Sequence, residues 1–211
     1  MKNKKNKILT EGKETMERWK EYFYELLNKE DENELTVNNS YNIEINEETD
    51  DTIKREEVTE AIKTIKRGKS AGHDRITAEM VINLGERGTE MLTDLFNKAW
   101  NEGNVPDDWR IGIIIPIHKK GDTRDCANYR GITLLSIVAK TFESILEKRL
   151  KKETEHQLEE SQCGFRKGRS TQDHIFTIKQ MIEKSRIKNK EVYVAFLDLE
   201  QAFDKVALKD V

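Results

Sequence analysis

Apolar residues recur at helical spacing along most of this chain and cluster into short β-branched runs in only a few places. Met16, Trp19, Tyr22, Phe23, Leu26 and Leu27 fall on one stripe and predict an amphipathic helix over 14–28. Val58, Ile62 and Ile65 predict a second helix over 54–67, ended by a left-handed cap at Gly68. From Thr77 to Trp100 the apolar spacing is again helical, with a break expected near Gly85–Gly88. Val105-Pro106 marks a turn, after which the pattern changes. Ile111 to Ile117 is short and β-branched, which predicts a strand. Arg130 to Leu135 is its expected hairpin partner across the polar loop HKKGDTRDCAN. Two further helices are expected, from Ile137 to about Glu155 and from Thr171 to about Lys188. The run Val192 to Leu197 predicts a buried strand ending at Asp198. The fold class expected from this order is α+β, mostly α.

Composition adjusts that picture in two ways. With 36% charged and 36% hydrophobic residues, the chain can bury only a modest core, and much of its helix surface must be solvated. The stretch from Lys29 to Thr52 is acidic and Asn-rich, which reads as a linker. The net charge is −3. Residues 1–60 hold 10 Lys/Arg against 17 Asp/Glu, a balance of −7, and the remainder holds 27 against 23, or +4. Overall charge therefore gives no case for nucleic-acid binding, which must rest on individual basic groups. The longest apolar stretch falls far short of the roughly 20 residues of a membrane-spanning helix, and the basic start lacks the apolar core of a secretory signal. The expectation is an intracellular protein, nuclear or cytoplasmic, with no membrane partner. Cys126 and Cys163 stand far apart without a Cys/His cluster and are expected to be reduced thiols.

Three groups of residues carry chemistry. A carboxylate where a buried strand ends needs a cation or metal beside it, and Asp198 is so placed; a helix N-cap is the other reading. Lys119 and Lys120 stand at the tip of the expected hairpin and Arg130 begins its return strand. A guanidinium there can grip phosphate oxygens with paired hydrogen bonds, or the loop can be an ordinary solvated one balanced by Asp122 and Asp125. Arg166, Lys167 and Arg169 flank Gly164 and Gly168 around Phe165, a group able to neutralise phosphates. Ser170 or Thr171 is a candidate cap for the helix that follows. Neither Gly68-Lys69-Ser70 nor GFRKGRS is a P-loop, because the glycine spacing is wrong in both.

The stretch Phe196-Leu197-Asp198-Leu199-Glu200-Gln201-Ala202-Phe203-Asp204 resembles the first palm motif of reverse transcriptases. KSAGHDRITAEM, WRIGIIIPIHKKGD with NYRGITLLS, and QCGFRKGRST resemble, in order, the blocks that precede it in the enzymes of non-LTR retrotransposons. ERWKEYFYELLN is similar to the region upstream. The resemblance covers residues 15–211 and implies the fingers and first palm strand of a right-hand polymerase. On that basis 1–60 is an acidic helix and linker, 61–190 a fingers-like region with hairpin 111–135, and 191–211 the first palm strand with the start of the next helix.

The same resemblance implies roles for single residues. Asp198 is the first catalytic acid and binds two Mg²⁺ ions about 4 Å apart, with the Leu199 carbonyl completing one shell. Phe203 is a steric gate against a ribose 2′-hydroxyl, and its packing in the core is compatible with that. Lys119 or Lys120, Arg130, Gln201 and Ala202 contact the incoming nucleotide, and Arg166, Lys167 and Arg169 the template. The implied partners are an RNA template, a DNA primer and a deoxynucleoside triphosphate; oligomeric state is not implied. The family's second metal-binding motif, aromatic-Ala-Asp-Asp, is not found in the 211 residues, so the polypeptide is expected to be truncated and inactive alone. Gly131 stands where relatives commonly have Pro, which implies a looser backbone beside Arg130. The competing expectations are a non-catalytic RNA- or DNA-binding module and a helical protein-interaction domain.

Overall fold

The computed structural model describes residues 1–28 and 52–199. The expected linker lies outside these apart from Thr52, as do Gln201, Ala202 and Phe203. The chain divides into two compact units, with residues 1–147 in the first and 148–200 in the second. No helix among the described residues is long and apolar enough to cross a membrane.

The first unit begins with α1 (Gly12–Leu27), which matches the predicted amphipathic helix. α2 (Arg55–Thr64) starts where Glu57 reaches back to accept a hydrogen bond from the Lys54 N–H at 2.9 Å. It stops at Ile65, so Gly68 does not cap it. That glycine turns the following loop instead, at φ +69°, and donates its N–H to Glu79 at 2.8 Å. The predicted break in the third helical stretch separates α3 (Ala78–Ile82) from α4 (Gly85–Glu102), with Thr77 capping α3. Gly103 ends α4 in the left-handed conformation. A 3-10 turn over Asp107–Arg110 leads into β1 (Ile113–His118), which pairs with β2 (Tyr129–Leu134). The pair is antiparallel, with Pro116 opposite Gly131, Ile117 opposite Arg130 and His118 opposite Tyr129. Proline loses little here, because a two-stranded sheet has only edge strands. α5 (Ile137–Thr154) follows directly, its first turn capped by Ser136.

The core gathers Ile53, just before α2, with Val58, Ala61, Val81, Leu92, Phe96, Val138, Phe142 and Ile145 from α2, α3, α4 and α5. Phe96 is fully buried and meets Trp109 and Phe142 with ring centroids 5.9 and 5.3 Å away. Asn97 clamps the entry to α2 by bonding both the N–H and the carbonyl of Ile53, at 2.6 and 2.9 Å. Gly72, within KSAGHDRITAEM, lies against the junction of β2 and α5. A Cβ there would stand 2.6 Å from the backbone of Leu135 and Ser136. Only glycine lets these two segments approach so closely.

α1 is not an appendage to the hairpin but its cover. Alternation along the strands puts Ile114, Pro116 and His118 on one face together with Thr133, Gly131 and Tyr129. Trp19 meets Tyr129 edge-on at 4.9 Å, and a Cβ on Gly131 would stand 2.7 Å from the Phe23 ring. The missing side chain of Gly131 makes room for Phe23.

The second unit contains a 3-10 turn over Glu155–Gln157 and α6 (Thr171–Ile187). Ser170, one of the two expected caps, accepts from the Gln172 N–H, and Asp173 accepts from the Ser170 N–H. The buried strand expected over 192–197 is not formed: residues 191–199 carry no helix or strand and every one is exposed. Tyr193, Phe196 and Leu197 are 89%, 82% and 95% exposed. The physical reason is the ladder: a strand is held by its neighbour's backbone, and no paired strand lies beside this one among the described residues.

Candidate functional site

The hairpin presents two faces of different character. Opposite the face covered by α1, Ile113, Ile115, Ile117 and Ile132 remain between 38% and 47% exposed. Arg130 shares that face by its register opposite Ile117. The Lys119 N–H donates to the Asn128 carbonyl at 2.8 Å, carrying the ladder one step beyond His118. By alternation Lys119 then falls on the side of Ile117 and Arg130. Lys119, Lys120 and Arg130 are exposed, and none forms an ion pair among the described residues.

The loop between them is built tightly. Asp122 accepts hydrogen bonds from Lys2 at 2.8 Å and from the Arg124 guanidinium at 3.0 and 3.2 Å. It also accepts from the Arg124 N–H at 2.9 Å. Arg124, and after it Lys2, hold its carboxyl well below the usual carboxylate range. Asn128 donates to the Asp122 carbonyl at 3.0 Å, while Gly121, at φ +85°, lies directly against the Asn128 amide. Tyr129 closes the loop by donating to the Thr123 carbonyl at 2.8 Å. Thus Asp122 does not balance Lys119 and Lys120; it is engaged elsewhere. The N-terminal residues join this arrangement through the Lys2 N–H, which donates to the Arg124 carbonyl at 2.7 Å.

In the second unit the three expected template-binding cations have different surroundings. Arg166 is 9% exposed at its side chain, and its guanidinium donates to Glu155 at 3.1 and 3.0 Å. It also donates to the carbonyls of Glu159 and Gln162 at 2.8 and 3.3 Å. Arg169 pairs with Glu160, which raises its pKa further. Lys167 is exposed and has no ion pair among the described residues. The acidic run Glu155, Glu159 and Glu160 was visible in the sequence and is the signal that two of these arginines brace their own loop.

Asp198 and Leu199 lie in the exposed segment 191–199. Gln201, Ala202 and Phe203 fall outside the described residues. Among the described residues no group of three or more His, Cys, Asp or Glu side chains could hold a metal ion. Asp198 therefore contributes one carboxylate, and one carboxylate does not make a site for the divalent metal the resemblance implies.

The family model described as reverse transcriptase (RNA-dependent DNA polymerase) matches residues 117–211, from the end of β1 onward. Among curated proteins, the probable RNA-directed DNA polymerase from transposon BS of Drosophila melanogaster is 32% identical over 73% of this chain. The probable RNA-directed DNA polymerase from transposon X-element of the same fly is 33% identical over 71%. The RNA-directed DNA polymerase from its mobile element jockey is 32% identical over 72%. The chain spans 17% of the length of each of these relatives. The ordered blocks, the family match over residues 117–211 and these relatives agree: the chain is similar to the reverse transcriptases of non-LTR retrotransposons.

Proposed function

We propose that this chain supplies the nucleotide-gripping hairpin and the first catalytic aspartate of an RNA-directed DNA polymerase, and that the 211-residue polypeptide does not polymerise by itself. The observation that carries the reading is the register of the hairpin, with Arg130 opposite Ile117 on its open, α1-free face. Lys119 and Arg130, both unpaired among the described residues, form a cationic end to an apolar surface. That combination suits a nucleoside triphosphate: the cations take the phosphates and the isoleucines face the base. Lys120, Gln201 and Ala202 belong to the same proposed contact, Phe203 is the steric gate, and Lys167 with Arg166 and Arg169 faces the template.

Asp198 and the Leu199 carbonyl are the proposed metal ligands, with Mg²⁺ as the metal in the complete enzyme. A two-metal site needs further acids, and the 211 residues contain no aromatic-Ala-Asp-Asp motif to supply them. RNA template, DNA primer and deoxynucleotide are partners of the longer enzyme in this reading. A fluorescent deoxynucleoside triphosphate should bind the chain weakly and lose its affinity in Arg130→Ala. Primer extension with Mg²⁺ should be absent; template-dependent incorporation that disappears in Asp198→Asn would refute the inactivity. A binding module centred on Arg166, Lys167 and Arg169 is less supported, since two of those side chains are paired locally.

A further inference from the structure

Val192, Val194 and Phe196 alternate along the segment that follows α6, and all three are exposed. Asn189, at φ +51°, turns the chain out of the helix, and from Lys190 to Leu199 the backbone enters no ladder. Lys190 and Asp198 stand at the two ends of this run, on the same alternate positions as the three apolar residues. Neither has an ion pair or a side-chain hydrogen bond among the described residues. α6 adds to the open surface of the second unit. None of its residues is buried, and Ile175, Phe176, Met181 and Ile182 are exposed.

A cation, three apolar residues and an anion at every second position form an order that is complementary to its own reverse. Two copies laid antiparallel about Val194 set Val194 opposite Val194 and Val192 opposite Phe196. The same register sets Lys190 opposite Asp198 at both ends. Neighbouring alignments lose this match. A shift of one residue sets Glu191 opposite Asp198 or Lys190 opposite Leu197. A parallel, in-register pair stacks lysine on lysine and aspartate on aspartate, and like charges so placed are destabilising. We propose that Lys190 to Asp198 is a dimer surface whose partner is the same segment of a second copy of this chain, paired antiparallel about Val194. Each copy supplies the hydrogen-bond ladder that the other lacks. Two strands alone are marginal in water, so the exposed face of α6 is buried with them. The surface is small, which makes the dimer weak and dependent on concentration. One patch serves both copies, so the assembly closes at two. The pairing goes beyond the polymerase reading and needs no role of Arg130 or Asp198 in catalysis.

The test is sedimentation velocity of the full chain at low salt, from micromolar to hundreds of micromolar protein. Wild type should pass from monomer to dimer across that range. Val194→Asp sets two carboxylates face to face at the symmetry axis, and Val194→Lys two ammonium groups. Each variant alone should stay monomeric, whereas an equimolar mixture should form a heterodimer. Lys190→Asp and Asp198→Lys should each weaken the dimer at least about tenfold, since each turns two attractions into repulsions. The double variant Lys190→Asp/Asp198→Lys should recover to within about threefold of wild type. All these positions are exposed, and all three tryptophans lie in the first unit, so the melt followed by tryptophan fluorescence should not change. A wild type that stays monomeric, a dimer that persists in both Val194 variants, or a mixture no more associated than either alone would overturn the pairing. So would species that grow past the dimer, the mark of an edge that adds strands without closing. Arg130→Ala should dimerise as wild type does, which separates this result from that of the hairpin.

Discussion

Lys2 and Asp122, 120 positions apart, are joined by a hydrogen-bonded ion pair of 2.8 Å that ties the start of the chain to the hairpin loop. The bond reaches the loop between Lys120 and Arg130, so the N-terminal residues and α1 brace the same hairpin from its tip and from one face. A pair this exposed contributes little to global stability. Its effect is local geometry, and it can be read locally.

The carboxyl of Asp122 is held low by Arg124 and Lys2. A carboxyl depressed in the folded state contributes above its unfolded pKa and loses that contribution as pH falls through the folded value. The tether should therefore persist at pH 5 and weaken only in strongly acid solution, and Asp122→Asn should lack it at pH 7. Amide exchange of Leu9, whose N–H is bonded to the Met1 carbonyl at 2.7 Å, is the measurement: it should quicken in the variant and in high salt.

Gly72→Ala should destabilise the first unit by about 1–3 kcal/mol, since the new Cβ meets backbone that has no side chain to swing away. Urea denaturation followed by tryptophan fluorescence checks it. A stability equal to wild type would mean that the crossing of this loop over the β2–α5 junction is wrong.

Phe96→Ala removes the centre of the ring cluster with Trp109 and Phe142, and should cost about 3–5 kcal/mol. Because Trp109 is one of three tryptophans, its emission should shift red in the same variant before the main unfolding transition.

The two thiols should react at different rates. Cys126 is buried and desolvation pushes its thiol up, whereas Cys163 is half-buried. At pH 8 a thiol reagent should modify Cys163 in the native protein and reach Cys126 only on unfolding. Equal rates would contradict the buried position of the loop at Cys126.

Brief chymotrypsin treatment should cut after Tyr193 and Phe196 before any site in the core, because both side chains stand exposed in a segment without a ladder. Cutting first within α4 or α5 would oppose this.

What the sequence determined by itself was local and periodic. Stripes such as Met16 to Leu27 and the β-branched run before His118 specify helix or strand from nearest neighbours alone, and the ordered blocks around Asp198 carry the family resemblance. The tertiary structure decided what depends on neighbours distant in sequence. Gly131 proved to be a space for Phe23, and Asp122 a partner of Lys2 and Arg124 in place of a counter-charge for Lys119. Arg166 is a brace held by Glu155. The stretch 192–197 shows the same division from the other side. Its residues have strand propensity, but propensity supplies no hydrogen-bond partner, and the segment ending at Asp198 forms no strand and is exposed.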